Sequence, residues 1–152
     1  SKLFLKFANE VILIFFQFLI IIFHFIEWEF FPKKQIIQIN PISDFLGFFI
    51  ILVSSVVILI AIKDLGRNLS PLPRPKTNSK LVTSGIYSFI RHPIYYSLIF
   101  ISFGIFTIQL NLYYLCLTII LALIIKFKII LEEKYLNIKF KNYYFYKNEV
   151  EY

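Results

Sequence analysis

The chain has 152 residues, of which 59% are hydrophobic, 20% aromatic and only 16% charged, and its mean hydropathy is +0.74. Soluble domains are about half apolar and about a quarter charged, so the composition excludes an ordinary water-soluble domain and fits one embedded in a bilayer. A net charge of +7 would raise nucleic acid as a partner in a soluble protein. Here the basic residues flank apolar runs, so the membrane surface accounts for them and no nucleic acid partner is expected.

Four apolar runs follow one another, at residues 11–26, 45–62, 94–110 and 112–125. A span needs about 20 residues, with roughly 17 sufficient, and the first three reach that length with their flanks. The fourth continues through Lys126 and Lys128, whose long stems are expected to snorkel to the surface. No small-residue cleavage site follows the first run, so it is expected to be retained as a span. His24 near its end is expected at the interface, as are Trp28, Tyr95 and Tyr96. Cys116, the single cysteine, lies inside the fourth run and is expected as a small buried hydrophobe. One cysteine and two separated histidines leave no disulfide and no metal site.

The fold expected is therefore all-α, an integral membrane bundle of four transmembrane helices. Residues 1–62 form two N-terminal transmembrane helices. Residues 63–152 form a catalytic region made of a cytoplasmic loop, a helical hairpin and a C-terminal helical tail. The loop contains SPLPRP at 70–75, where alternating prolines resist helix and favour an extended path. With the N-terminus in the cytoplasm, fourteen of the sixteen basic residues fall on the cytoplasmic side and only Lys33 and Lys34 outside. Both termini and the loop then face the cytoplasm.

Asn111 alone separates the third and fourth runs, which implies a tight antiparallel hairpin. Arg91 and His92 stand about twenty residues before it, and Glu132 and Glu133 about twenty after it. At about 1.5 Å per residue the two pairs return to one depth. The hairpin thus brings a cationic and an anionic pair together at its cytoplasmic mouth, with Pro93 in the first turn of its helix and Arg91 and His92 projecting into the headgroup layer. Each residue also has a plain reading. Arg91 is a topology determinant, Gly85 a turn residue, and the two glutamates a solvated face paired with Lys128 or Lys134.

Taken together, LVTSGIYSFIRHPIY at 81–95 and the later Glu-Glu pair resemble the signature of the isoprenylcysteine carboxyl methyltransferase family of integral-membrane enzymes, which is related to the phospholipid N-methyltransferases. Gly85, Tyr87, Arg91, His92, Pro93 and Tyr95 carry the first half of the resemblance; Glu132, Glu133 and Phe140 carry the second. LGRNLSPLPRPK at 65–76 resembles the loop before the signature. Lys141 stands where the family commonly has glycine. The resemblance implies S-adenosyl-L-methionine as cofactor and a lipophilic or lipidated methyl acceptor arriving from the bilayer. It implies catalytic roles for Arg91, His92 and Glu132, and cofactor contacts for Gly85, Tyr87, His92, Pro93, Tyr95, Glu132 and Glu133. Arg91 or His92 suits the cofactor carboxylate, Glu132 or Glu133 its ammonium or ribose hydroxyls, Tyr87 and Tyr95 an aromatic wall, and Gly85 a close backbone approach. An isoprenylcysteine-type carboxylate is the favoured acceptor and a phospholipid amine the alternative. Two other classes remain: a lipid-modifying reductase, since sterol reductases share a similar helical region, and a non-catalytic membrane assembly protein.

Overall fold

The structure, a computed structural model, describes residues 2–26 and 41–150. Trp28, Lys33 and Lys34, and with them part of the topological argument, lie outside the described residues. The described chain is helical, with five α-helices: α1 (Lys2–Phe23), α2 (Pro41–Leu65), α3 (Pro93–Gln109), α4 (Leu112–Lys139) and α5 (Tyr143–Glu149). Short 3₁₀ turns stand at Gly66–Asn68 and Gly85–Ser88.

The segment Pro41–Asn68, which contains α2, and the helix α4 are each long and apolar enough to cross a membrane; the apolar stretches Ala8–Phe23 and Pro93–Gln109 are shorter. The outer faces are apolar. Phe15, Phe18, Phe45, Phe48, Leu59, Phe100, Ile119 and Phe127 are all exposed. A soluble monomer does not present apolar surface on this scale, and lipid is the medium that covers it. Cys116 lies on this outer face and is exposed, contrary to the buried place expected for it. A small apolar side chain is as well accommodated by lipid as by a core, so its hydrophobicity does not fix its direction.

Between helices in lipid there is little hydrophobic drive, and close packing and polar contacts carry the association. Accordingly α2 packs along α3 in antiparallel fashion through small residues. Gly47, Ser54 and Ala61 are buried on α2, and Ser97 and Gly104 on α3. A Cβ on Gly104 would lie 2.9 Å from the Gly47 carbonyl oxygen and 2.7 Å from Ile51 Cγ1. On its other side α3 meets α4, and α4 meets α1. The face of α4 carrying Tyr114, Leu117, Leu121 and Ile125 forms the core with Ile20 of α1. Within this apolar interior Ser102 bonds Thr118 at 2.7 Å, and His24 bonds Ser102 at 2.7 Å. His24 is thus a half-buried helix-to-helix contact as well as a residue near a span end.

The hairpin turn forms where expected. Leu110 adopts the left-handed region (φ 46°), and the Asn111 side chain caps α4 by accepting from the Tyr113 N–H at 2.9 Å. From Leu112 to Glu132 the rise is about 30 Å, about the thickness of a hydrocarbon core. The two glutamates therefore stand near one edge of it.

Replacing Gly104 by leucine is expected to force α2 and α3 apart and cost about 1–3 kcal/mol, as overpacking does. The checking measurement is the thermal midpoint in detergent, with the exposed neighbour Phe103→Leu expected to leave it within error.

Candidate active site

The site is assembled from three parts of the chain: the loop before α3, the cytoplasm-facing end expected of α4, and α5. Pro93 opens α3 at a position where a missing N–H is harmless. His92 precedes it in a non-helical conformation (φ −129°, ψ 56°), and the Tyr96 N–H bonds the His92 carbonyl at 3.1 Å. Arg91 and His92 therefore sit on a fixed helix start.

Both turn inward to Glu133. Arg91 Nη1 lies 3.1 Å from Glu133 Oε1, and His92 Nε2 lies 3.2 Å from the same oxygen. Lys147 Nζ of α5 donates to Glu133 Oε2 at 2.6 Å. His92 is 5% exposed. The two residues thus do not project into the headgroup layer as expected, because an anion inside the fold satisfies them there. Nor does Glu133 pair with Lys128 or Lys134; its lysine comes from α5. Glu132 is separately engaged, accepting a 2.6 Å hydrogen bond from the Tyr95 hydroxyl. The Tyr95 ring stacks on His92 with centroids 5.7 Å apart.

Lys128 is the clearest departure. It was expected to snorkel, yet it is 3% exposed. Its Nζ donates to Gln17 Oε1 at 2.7 Å and stands 4.9 Å from the Tyr95 ring centroid. Its position one turn before Glu132 on the inward face, rather than on the lipid side, keeps it from reaching the surface.

Gly85 has a structural task. Its φ is +63°, and a Cβ there would fall 2.2 Å from Asp64 Oδ2. Asp64 in turn accepts from the Ile86 N–H at 2.8 Å. Glycine is thus needed to seat the turn on the end of α2, and this turn presents Tyr87. Tyr87 is buried, and its carbonyl accepts from the Tyr146 hydroxyl of α5 at 2.6 Å. Burial raises the phenol pKa of Tyr87 and Tyr143, and pushes that of Tyr146 up to about 12. All three carry neutral hydroxyls at physiological pH.

Two cavities meet at this cluster. One, of about 290 Å³, is lined by Gln17, Phe18, Ile94, Leu98, Lys128 and their neighbours, with His92, Pro93 and Tyr95 among them. The other, of about 90 Å³, lies under the proline segment and is lined by Pro73, Pro75, Leu136, Phe140, Tyr143 and Tyr146. Leu65, Ser70, Tyr87, Arg91 and Glu132 line both. Gly85 and Glu133 line neither; they position residues that do.

The proline segment is a pinned roof. Arg74 Nη2 donates at 3.0 Å to Glu10 Oε1 of α1, and the Tyr135 hydroxyl of α4 donates to the same oxygen. Glu10 is fully buried. Lys139 Nζ holds the Lys76 and Thr77 carbonyls and the Ser79 hydroxyl. The places of Glu10, Gln17 and Asp64 in the site were not read from the sequence. The available signal was an acid or amide inside or beside an apolar run, which is expensive unless it has a function or a partner.

Apolar outer faces, with ionisable side chains gathered around the start of α3 and the end of α4, define a membrane protein. The family model for phospholipid methyltransferases matches residues 42–143. The match covers more than half of the chain and both halves of the charged cluster. The chain belongs to the phospholipid methyltransferase family and is, by that membership, a membrane methyltransferase. No curated protein matches it.

Replacing Glu133 by glutamine is expected to remove the carboxylate that pairs with Arg91 and to cost about 3 kcal/mol, in the range for breaking a buried ion pair. Lys147→Ala removes a partner whose side chain is 41% exposed and is expected to cost at most about 1 kcal/mol. Thermal unfolding in detergent compares the two.

Proposed function

We propose that the protein is an S-adenosyl-L-methionine-dependent methyltransferase acting on a lipophilic acceptor. The observation that carries this reading is the pair of cavities meeting at Tyr87, Arg91 and Glu132. One lies under a polar roof, the other between apolar helices, so a water-borne and a lipid-borne reactant have separate entrances to one junction.

The donor set suits the cofactor. Tyr143 is 1% exposed, and its hydroxyl has no hydrogen-bond partner among the described residues. It faces a chamber that also holds the Glu132 carboxylate and the Tyr87, Phe140 and Tyr146 rings. A carboxylate for an ammonium or ribose hydroxyls, a guanidinium for a carboxylate, and aromatic faces for adenine or a cation are what this ligand requires. At about 90 Å³ the roof chamber takes a fragment of it.

When bound, the cofactor supplies an activated methyl group on a sulfonium. The work of the chain is alignment and exclusion of water. Glu133 fixes Arg91 and His92 so that Arg91 keeps one orientation at the junction. Tyr95 orients Glu132. A carboxylate acceptor of the isoprenylcysteine type is favoured, because it arrives as the anion and needs no base. Such an oxygen would take the methyl group that the bound cofactor supplies with no proton to be removed, so the chain's residues would need only to align the two. A phospholipid amine would first have to lose a proton, with His92 the nearest imidazole.

Four spans, with both termini and the site facing the cytoplasm, complete the proposal. Residues 63–152 supply the catalytic region. Residues 1–62 supply two membrane helices, of which α1 also enters the lipophile chamber through Gln17 and Phe18.

The protein in detergent is expected to bind S-adenosylhomocysteine, and Glu132→Ala to weaken binding about tenfold or more, the loss of one charge-assisted hydrogen bond. Preferential binding of NADPH would favour a reductase; no nucleotide binding with the fold intact would favour an assembly role. For topology, a cysteine introduced at the exposed Thr77 is expected to react with an impermeant thiol reagent from the cytoplasmic side alone. Reaction from the other side would invert the orientation.

A further inference from the structure

The proline segment is held to the rest of the chain by ties of different kinds. Its neck is closed where Asn68 Oδ1 accepts from the Lys80 N–H at 2.8 Å. Its later arm is held by Lys139, whose Nζ reaches the Lys76 and Thr77 carbonyls and the Ser79 hydroxyl, so all three ammonium N–H groups are used. Its earlier arm, residues 70–75, is tied by Arg74 to Glu10 of α1. Glu10 lies outside the stretch 42–143 that the family model matches, so this tie comes from a helix beyond the matched region.

The Glu10 tie is incomplete. Oε1 takes both donors, Arg74 Nη2 at 3.0 Å and the Tyr135 hydroxyl. Glu10 Oε2 and Arg74 Nε are buried and have no hydrogen-bond partner among the described residues. A two-pronged guanidinium–carboxylate pair would satisfy such atoms. Here each carries a desolvation cost while the arm is down, and the cost is relieved when water reaches it. The Arg74 side chain is already 42% exposed. Glu10 is fully buried, and an ionisable side chain buried in an apolar helix marks a functional position. Pro71, Pro73 and Pro75 stiffen the arm. Arg74 therefore carries with it Pro73 and Pro75, which line the roof chamber.

We infer that Glu10 is a positioning residue for the roof chamber: its hold on Arg74 keeps the proline arm down and sets how fast a ligand enters and leaves. The inference rests on reading that chamber as the cofactor's and adds a control on exchange exerted by α1. One charge-assisted contact, with buried unpartnered atoms set against it, leaves an open minor state populated. Release of the tie quickens entry and exit together. Loss of a direct ligand contact would quicken exit alone.

The test uses the full chain in phosphatidylcholine nanodiscs and has two arms. In the first, Pro73→Cys is introduced together with Cys116→Ala. Pro73 is fully buried, so its replacement thiol meets an impermeant reagent only when the arm opens, and the labelling rate follows the open population. In the second, the association and dissociation rates of S-adenosylhomocysteine are measured by surface plasmon resonance. Glu10→Gln and Arg74→Gln are each expected to raise the labelling rate and both binding rates about tenfold, the scale of one charge-assisted hydrogen bond. The double variant is expected to go no further, since both changes break one tie. A thermal midpoint near the parent's shows that the fold survives. Arg74 lies outside the helices, so its variant decides the matter if Glu10→Gln does not fold. An unchanged labelling rate in a folded variant, or faster dissociation without faster association, overturns the inference. Failure of the parent protein to bind S-adenosylhomocysteine counts instead against the methyltransferase reading, and the labelling rate then decides the tie by itself.

Discussion

The Glu133 carboxylate is the point at which the separate parts of this molecule are joined. It stands on α4 and holds Arg91 and His92 at the start of α3 and Lys147 on α5. Near the edge of the hydrocarbon cations such as Arg91 and Lys147 are tolerated only when an anion meets them. The helical hairpin supplies that anion through the arithmetic of rise per residue and through a turn short enough to keep α3 and α4 in register. Once these three side chains are fixed, the rest follows. Tyr95 stacks on His92 and binds Glu132, and α5 is held close enough for Tyr146 to clamp the turn that carries Tyr87.

The arrangement explains why a chain of mostly interchangeable aliphatic residues still needs a definite interior. Lipid-facing positions ask only for apolarity, and they are filled with Phe, Ile and Leu. The positions that matter are small or polar: Gly47 against Gly104, where backbones touch, Glu10 under Arg74, and Gln17 under Lys128. Through the last two, α1 fixes both the roof over one chamber and the wall of the other. The N-terminal helix thus takes part in the site as well as in anchoring it.

Much of this was legible in the sequence. Asn111 between two apolar runs gave the hairpin, and equal spacing on its two sides gave the meeting of Arg91 and His92 with the glutamate pair. Those inferences depend only on local geometry, which a linear sequence carries. Contacts between distant segments were not legible. Nothing in one sequence ties Glu10 to Arg74, 64 positions later, or Gln17 to Lys128, 111 positions later. The direction in which a residue faces was equally hidden where the run around it is apolar on all sides. Cys116 turned outward and Lys128 inward for that reason. Gly85 was noticed for its conformational freedom, but its neighbour is Asp64, a contact that only the folded chain reveals.

The central claim is that a water-borne and a lipid-borne reactant meet at the junction of Tyr87, Arg91 and Glu132. The most direct measurement is methyl transfer itself. Membranes containing the protein are incubated with S-adenosyl-L-methionine tritiated in its methyl group and then partitioned between organic solvent and water. The account predicts tritium in a lipid-extractable product, with the label lost when Glu132 is replaced by glutamine. Tritium confined to water-soluble products, or a lipid label indifferent to that replacement, would contradict it.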